Sequence, residues 1–293
     1  AIIMHERTSF TENTVTLTAP VTSANIIPPG EDVAAGTLLV PKGKILTASD
    51  LALIAGQGIA EIGVYKKLSI GLISTGSELL NTGSPLEYGK IYNTNPYLLG
   101  GYIQKHHMTA NYLNTVSDDL DSLCRAVLEA LKTNDIVIPP GGVSAGDFDY
   151  MPEVIRRIGG DLLFHRLKFK PGGAMLGAFK DGKVILGLSG NPGAAATGLL
   201  CVGFPFMRKL SGRSDITFSQ TTAYLGVDFK KSSPVTRILK GHSDFKNGML
   251  YFTPLSNQHN GSVSSMSDCD LLAIIPAGSK PLAAGDKLEV YIL

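Results

Sequence analysis

Four loops concentrate the residue types that handle anions and metals. Ser74-Thr75-Gly76-Ser77-Glu78 places hydroxyls and a carboxylate around a glycine straight after an apolar run. The hydroxyls of Ser74 and Thr75 with nearby backbone amides can hold an anion, and Ser77 and Glu78 serve equally well as caps of a helix starting there. Residues 141–149, Gly-Gly-Val-Ser-Ala-Gly-Asp-Phe-Asp, can present N–H groups to phosphate while Asp147 and Asp149 face a metal. An ordinary glycine-rich turn explains the composition as well. The loop has neither the Lys-Ser/Thr signature of a phosphate-binding P-loop nor the GxGxxG spacing of a dinucleotide site, which disfavours both chemistries. In Arg166-Leu-Lys-Phe-Lys170 three cations alternate with apolar residues, so a strand there would project the cations to one side, ahead of Pro171-Gly172. Such a row can grip phosphate, or it can be a solvated edge that resists aggregation. Ser189-Gly190-Asn191-Pro192 leaves an open backbone that suits either close ligand approach or a plain turn. Asp118-Asp119 stands ahead of an amphipathic segment, as an N-cap or as a metal or acid-base pair. The adjacent His106 and His107 would point apart on a helix, and none of the six histidines is assigned a catalytic role.

The elements that must position these loops follow from periodicity. Residues 69–74 form an apolar run of strand length, 95–105 read as a helix, 111–115 as a strand, and 120–131 as a helix with Leu120, Leu123, Val127 and Leu131 on one face. Residues 136–138 and 183–188 read as buried strands, 151–158 as a helix, and 194–210 as an apolar helix. Strands alternating with helices predict a mostly parallel sheet covered on both faces, with ligands at the carboxyl ends of its strands. Before it, strands over 15–17 and 37–40 and a helix capped by Ser49-Asp50 predict an irregular α+β region. Beyond the linker 211–214, segments 221–227, 250–252, 271–275 and 287–292 predict a small all-β, barrel-like domain. The expected fold is multi-domain α/β, divided at 1–66, 67–212 and 213–293.

With 293 residues, 44% of them hydrophobic and 17% charged, the chain can bury more than one core. A net charge of +1 gives no global attraction to nucleic acid or anionic membrane, so any anion site must be local. Cys124, Cys201 and Cys269 are far apart and lack metal-type spacing, which argues against disulfides and zinc and for a cytoplasmic setting. The apolar stretch 194–206 is cut by Gly198, Gly203 and Pro205 and falls short of a membrane span. No signal peptide is visible.

Taken in order, Asn25-Ile-Ile-Pro-Pro-Gly-Glu-Asp32, Ser74-Thr-Gly-Ser-Glu-Leu79, Ile91-Tyr-Asn-Thr-Asn95, Asp118-Asp119, Gly141-Gly-Val-Ser144 with Asp149, Lys170-Pro-Gly172 and Leu188-Ser-Gly-Asn-Pro192 resemble the molybdopterin molybdenumtransferase family, the MoeA type that includes the carboxyl-terminal part of gephyrin. The resemblance covers the whole chain. It implies insertion of molybdenum from molybdate into adenylylated molybdopterin with release of AMP, assisted by Mg2+, in a cytoplasmic homodimer. It implies Glu78, Asp118 and Asp149 as catalytic and metal-holding carboxylates. Substrate binding would fall to Asp32, Thr75, Gly76, Gly141, Gly142, Ser144, Arg166, Lys170, Pro171, Gly172, Ser189, Gly190, Asn191 and Pro192. A molybdopterin adenylyltransferase and molybdenum-enzyme acceptors are the implied partners, with no nucleic acid and no membrane. The chain departs from the family pattern at Ile27, where members often carry Arg, and at Ser77, Asn93, Arg166 and Ser189. Ala1-Ile-Ile-Met-His-Glu6 resembles the re-entry into the first domain after an inserted β-domain, so a domain's worth of preceding sequence is expected. The competing functional readings are a molybdopterin adenylyltransferase of related fold and a non-catalytic scaffold.

Overall fold

The computed structural model describes residues 2–22, 26–139, 141 and 150–293. The chain divides into two compact units, Ala1–Ile62 and Gly63–Leu293.

In the first unit, β1 (Thr8–Phe10) and β2 (Val15–Leu17) form an antiparallel pair. Helix α1 (Ala48–Gly56) follows, and its N-cap is Thr47 rather than the expected Ser49-Asp50. The Thr47 side chain accepts from the Asp50 amide, and Asp50 reaches back to the Thr47 amide, which satisfies two otherwise orphaned donors. Residues 37–40 form no strand. Among the described residues of this unit only Asp50 and Ile54 are buried.

The second unit opens with β3 (Ser69–Thr75), and a tight turn leads into the short strands β4 (Leu79–Leu80) and β5 (Ile91–Tyr92), paired in parallel. Then come α2 (Asn95–Lys105), β6 (Thr109–Val116), α3 (Leu120–Thr133), β7 (Ile136–Ile138), α4 (Met151–Arg157), β8 (Asp161–His165), β9 (Phe169–Lys170), β10 (Leu176–Lys180) and β11 (Lys183–Gly187). Helix α5 (Pro192–Gly198), a π-helical turn over Leu199–Gly203 and α6 (Phe204–Leu210) run on continuously. The six-stranded sheet has the order β6-β3-β7-β11-β10-β8, parallel from β6 to β11 and antiparallel at β10 and β8. Side chains of a strand alternate between faces. Ile136 and Ile138 therefore join the core shared with α2 and the α5–α6 segment, while Val137 joins the core under α3 and α4.

The remainder is a five-stranded barrel. Strands β12 (Gln220–Leu225), β13 (Thr236–Lys246), β14 (Met249–Pro254), β15 (Leu271–Ile275) and β16 (Lys287–Ile292) pair in the order β14-β12-β16-β15-β13, and β13 returns to β14 to close it. Ala223, Leu225, Leu239, Phe252, Ala273 and Val290 fill its interior. Closure leaves no free edge around the ring. Ile238, Met266 and Leu272 pack into the core that also holds Leu99, Ala195 and Phe204, so sheet and barrel share apolar contacts. The three cysteines are free thiols, and among the described residues no helix is long and apolar enough to cross a membrane.

Two expectations about local structure are corrected. Glu78 begins no helix, because Gly76 adopts φ +136° and turns the chain into β4, so Ser77 and Glu78 cap nothing. Residues 166–170 are not one strand: Arg166 sits at φ +67°, and only Phe169–Lys170 is extended, pairing with Thr236 and Arg237 of the barrel. The alternation of exposure nevertheless holds. Arg166, Lys168 and Lys170 are exposed, and Leu167 and Phe169 pack against the core.

Candidate functional site

The carboxyl ends of β3, β6, β7 and β11 meet at a cleft of about 570 Å³. This is where a parallel sheet leaves room for a ligand, because the strand ends splay while the helices that follow start nearby. Ser74, Thr75 and Glu78 come from the end of β3, Asp118 from the end of β6, Gly141 from the end of β7, and Ser189, Gly190, Asn191 and Pro192 from the end of β11.

The walls approach closely. Gly141, at φ +113°, lies so near Thr75 that a Cβ built on it would stand 2.7 Å from the Thr75 hydroxyl. Its amide donates to the Leu188 carbonyl at 2.8 Å, tying the β7 loop to the β11 loop. On the other side the side-chain Nδ2 of Asn93 donates to the Ser74 hydroxyl at 2.7 Å in a buried bond, and the side-chain Nδ2 of Asn95 donates to the Gly190 carbonyl at 2.8 Å. The Oδ1 of Asn95 is buried with no partner among the described residues. Thr94 ends its stretch of chain as the N-cap of α2 without a side-chain cap, so the first turn of an eleven-residue helix opens at the pocket. Such helix starts carry unpaired N–H groups and partial positive charge.

Two carboxylates face this polar cradle. Asp118 has its pKa raised, first because the wall takes away part of its solvation and second because the Glu78 carboxylate is close. Two like charges held this near one another are relieved by a cation between them. Asp119, by contrast, is an ordinary N-cap. Its carboxylate accepts from the Ser122 amide at 2.8 Å and is held at about 2 by hydrogen bonds from Ser117 and then Ser122. Among the described residues no cluster of three or more His, Cys, Asp or Glu side chains suited to a metal occurs.

The structure thus brings Thr75, Glu78, Asp118, Gly141 and Ser189 to Pro192 together in one cleft. Gly76 forms the turn behind it, with the Glu78 carboxylate folded back over its Cα. Arg166, Lys170, Pro171 and Gly172 do not line this cleft. Gly172 has a packing role, since a Cβ there would stand 2.7 Å from the Gly198 amide nitrogen of α5. Asp32 belongs to the first unit, two residues after the turn at Gly30. Gly142, Ser144 and Asp149 lie outside the described residues.

Sequence reasoning missed several lining residues. Asn93, Thr94 and Asn95 sit in the quoted Ile91-to-Asn95 segment, so that match was the signal that they face a site. Gly261 and Val263 come from the barrel and carry no local mark of function. The backbone at Ser189-to-Pro192 is also less open than its composition suggests, because the Gly193 and Ala194 amides at the start of α5 both donate to the Asn260 carbonyl, at 2.8 and 3.3 Å.

Comparison with known proteins matches three family models along the chain: the MoeA N-terminal region (domain I and II) over residues 1–58, a probable molybdopterin binding domain over 71–209, and the MoeA C-terminal region (domain IV) over 222–293. A molybdopterin molybdenumtransferase of Staphylococcus aureus (strain MRSA252) is 33% identical over 293 residues, spanning 100% of this chain and 70% of the relative. The molybdopterin molybdenumtransferase of Bacillus subtilis (strain 168) is 35% identical over 272 residues, 93% of this chain and 63% of its own length. A solved molybdopterin biosynthesis MoeA protein from Pyrococcus horikosii superposes with a TM-score of 0.83 at 25% identity, covering 99% of this chain and 71% of its own.

Proposed function

Because the chain belongs to the molybdopterin molybdenumtransferase family, a family of molybdenum cofactor biosynthesis, we propose that its cleft is where adenylylated molybdopterin loses AMP and receives molybdenum from molybdate. The observation that carries this is the convergence of two carboxylates, Glu78 and Asp118, with hydroxyls, an uncapped helix start and glycine turns on one cleft. Cleaving a phosphate anhydride requires groups that bind spreading negative charge and orient the leaving AMP.

The residues fit a divalent cation. Glu78 and Asp118 offer hard carboxylate oxygens, and they stand close enough for the Glu78 charge to add to the loss of solvation that raises the Asp118 pKa. Asp149 is the third carboxylate of this proposal. Mg2+ held there supplies charge neutralisation to the phosphate oxygens. The α2 amide end and the Ser74 and Thr75 edge receive the phosphate, Asn93 holds that edge in place, Asn95 ties the start of α2 to the Gly190 loop, and Gly141 and Gly190 let the ligand approach the backbone. Arg166 and Lys170 are proposed as outer cations that draw the anionic substrate in. A cytoplasmic homodimer, in which Asp32 of one subunit approaches the cleft of the other, completes the proposal. An adenylyltransferase that hands over the adenylylated pterin and the apo molybdenum enzymes that take the product are the proposed partners.

Gly261 and Val263 of the barrel line the cleft, which favours this reading over an adenylyltransferase built from the α/β fold alone. The two are separated by supplying the full-length protein either with adenylylated molybdopterin and molybdate or with ATP and molybdopterin. Molybdenum insertion with AMP release is expected only from the first mixture, and adenylylation in the second would reverse the assignment.

A further inference from the structure

Lys240 is fully buried although it is a lysine, and it carries no carboxylate partner among the described residues. Buried ammonium groups are rare because leaving water costs several kcal/mol, so their few contacts are informative. The Nζ of Lys240 donates to the Ser265 hydroxyl at 2.5 Å and to the His259 carbonyl at 3.3 Å. Ser265 in turn donates to the Ser262 carbonyl at 2.6 Å. One ammonium therefore holds both ends of the short segment 259–262, directly at His259 and through Ser265 at Ser262. The backbone of Lys240 is fixed as well, since its amide donates to Gln258 Oε1 at 3.2 Å and its carbonyl accepts from Gln258 Nε2 at 2.6 Å.

Between the two pinned ends lie the residues that matter to the cleft. The Asn260 carbonyl accepts from the first amides of α5, and Gly261 lines the pocket with Val263 beside it. Gly193 leaves room for the arrangement, because a Cβ there would lie 3.2 Å from Nζ and 3.0 Å from the Asn260 carbonyl. Burial draws the Lys240 pKa below the usual lysine value.

We propose that Lys240 is a positioning residue of the reaction: from the outer face of β13, where it is buried against α5, it clamps segment 259–262 against the start of α5 and so sets the wall that Gly261 and Val263 present to the substrate. This rests on the cleft being the substrate site. In the full-length protein, Lys240→Met keeps the stem and removes the donor, and Ser265→Ala leaves the lysine with its His259 carbonyl contact and removes the link to Ser262. Hydrogen exchange of amides 259–263 is expected to speed up at least tenfold in Lys240→Met and several-fold in Ser265→Ala, with exchange in β3 and β7 unchanged. The KM for adenylylated molybdopterin is expected to rise about tenfold and threefold respectively, with kcat within about threefold of the parent. Native protection of 259–263 in both variants overturns the clamp. A loosened segment with an unchanged KM overturns its role in the reaction. Absence of turnover in the parent protein would instead sink the molybdenum-insertion reading, and the exchange measurement would still decide the clamp.

Discussion

Glycines and amides at strand ends carry much of the site. Gly141 is confined by its positive φ and by the Thr75 hydroxyl 2.7 Å from where a Cβ would stand. Gly141→Ala should cost about 1–3 kcal/mol, the usual cost of a side chain in a sparsely populated backbone region, and should raise KM by pushing Thr75 aside. A denaturant midpoint and KM equal to those of the parent would show that the contact is not needed. The outer cations give a second test. If Arg166 and Lys170 draw in the phosphates, alanine at either should weaken substrate binding by about 1.5–3 kcal/mol, with less effect at high salt. Lys230→Ala, a distant charge, is the control, and equal affinities for all three variants would leave Arg166 and Lys170 as a solvated edge. Sequence could point to Glu78 and Asp118 because carboxylates after strand ends are conspicuous. It mistook the local structure at Glu78 because Gly-Ser-Glu reads as a helix start. The competing pairing of β4 with β5 depends on residues more than ten positions away.

At the scale of elements, strong periodicity was easy to read and polar strands were not. Helix α2 and β7 have the expected bounds, since apolar spacing set them. The long β13 went unseen because Arg237, Lys240, His242 and Asp244 interrupt its apolar pattern. Strands β8 and β10 were also hidden, being short antiparallel additions around a glycine-rich stretch. The start of the barrel meets α2 and α6 at His106, which sits at the C-cap of α2 against Phe204 and Phe218, with Arg208 3.3 Å from its Nδ1. Burial first and the Arg208 charge second lower its pKa from 6.5 to about 4. Below pH 6.5 the unfolded chain therefore takes up a proton that the folded chain refuses, and stability falls progressively as pH drops towards about 4. Urea midpoints between pH 4 and 7.5 should show this loss in the parent and a flatter profile in His106→Gln. Parallel profiles would remove His106 as the cause.

For the whole molecule, the first unit buries little of its own. Phe10, Val15, Leu17, Ile27 and Leu38 are exposed, Ile27 to 79%, and a unit with so small an interior gains stability by covering its apolar surface. A second copy of the chain is the proposed cover, so light scattering of the full-length protein at micromolar concentration should give a dimer, and a stable monomer would count against it. Composition foresaw several cores, but no local pattern could reveal that the barrel supplies a wall of the α/β cleft, because Gly261 and Val263 reach it only through the fold. The proposed reaction turns on the two carboxylates of that cleft. The decisive measurement is AMP release from adenylylated molybdopterin in the presence of molybdate and Mg2+ by the full-length protein, its Glu78→Gln variant and an Asp121→Asn control whose carboxylate lies outside the cleft. Glu78 is exposed, so its replacement should change stability by no more than about 0.5 kcal/mol. At least a hundredfold loss of AMP release is expected in Glu78→Gln with the fold intact, and near-parental rates in Asp121→Asn; parental rates in both would contradict the role of Glu78.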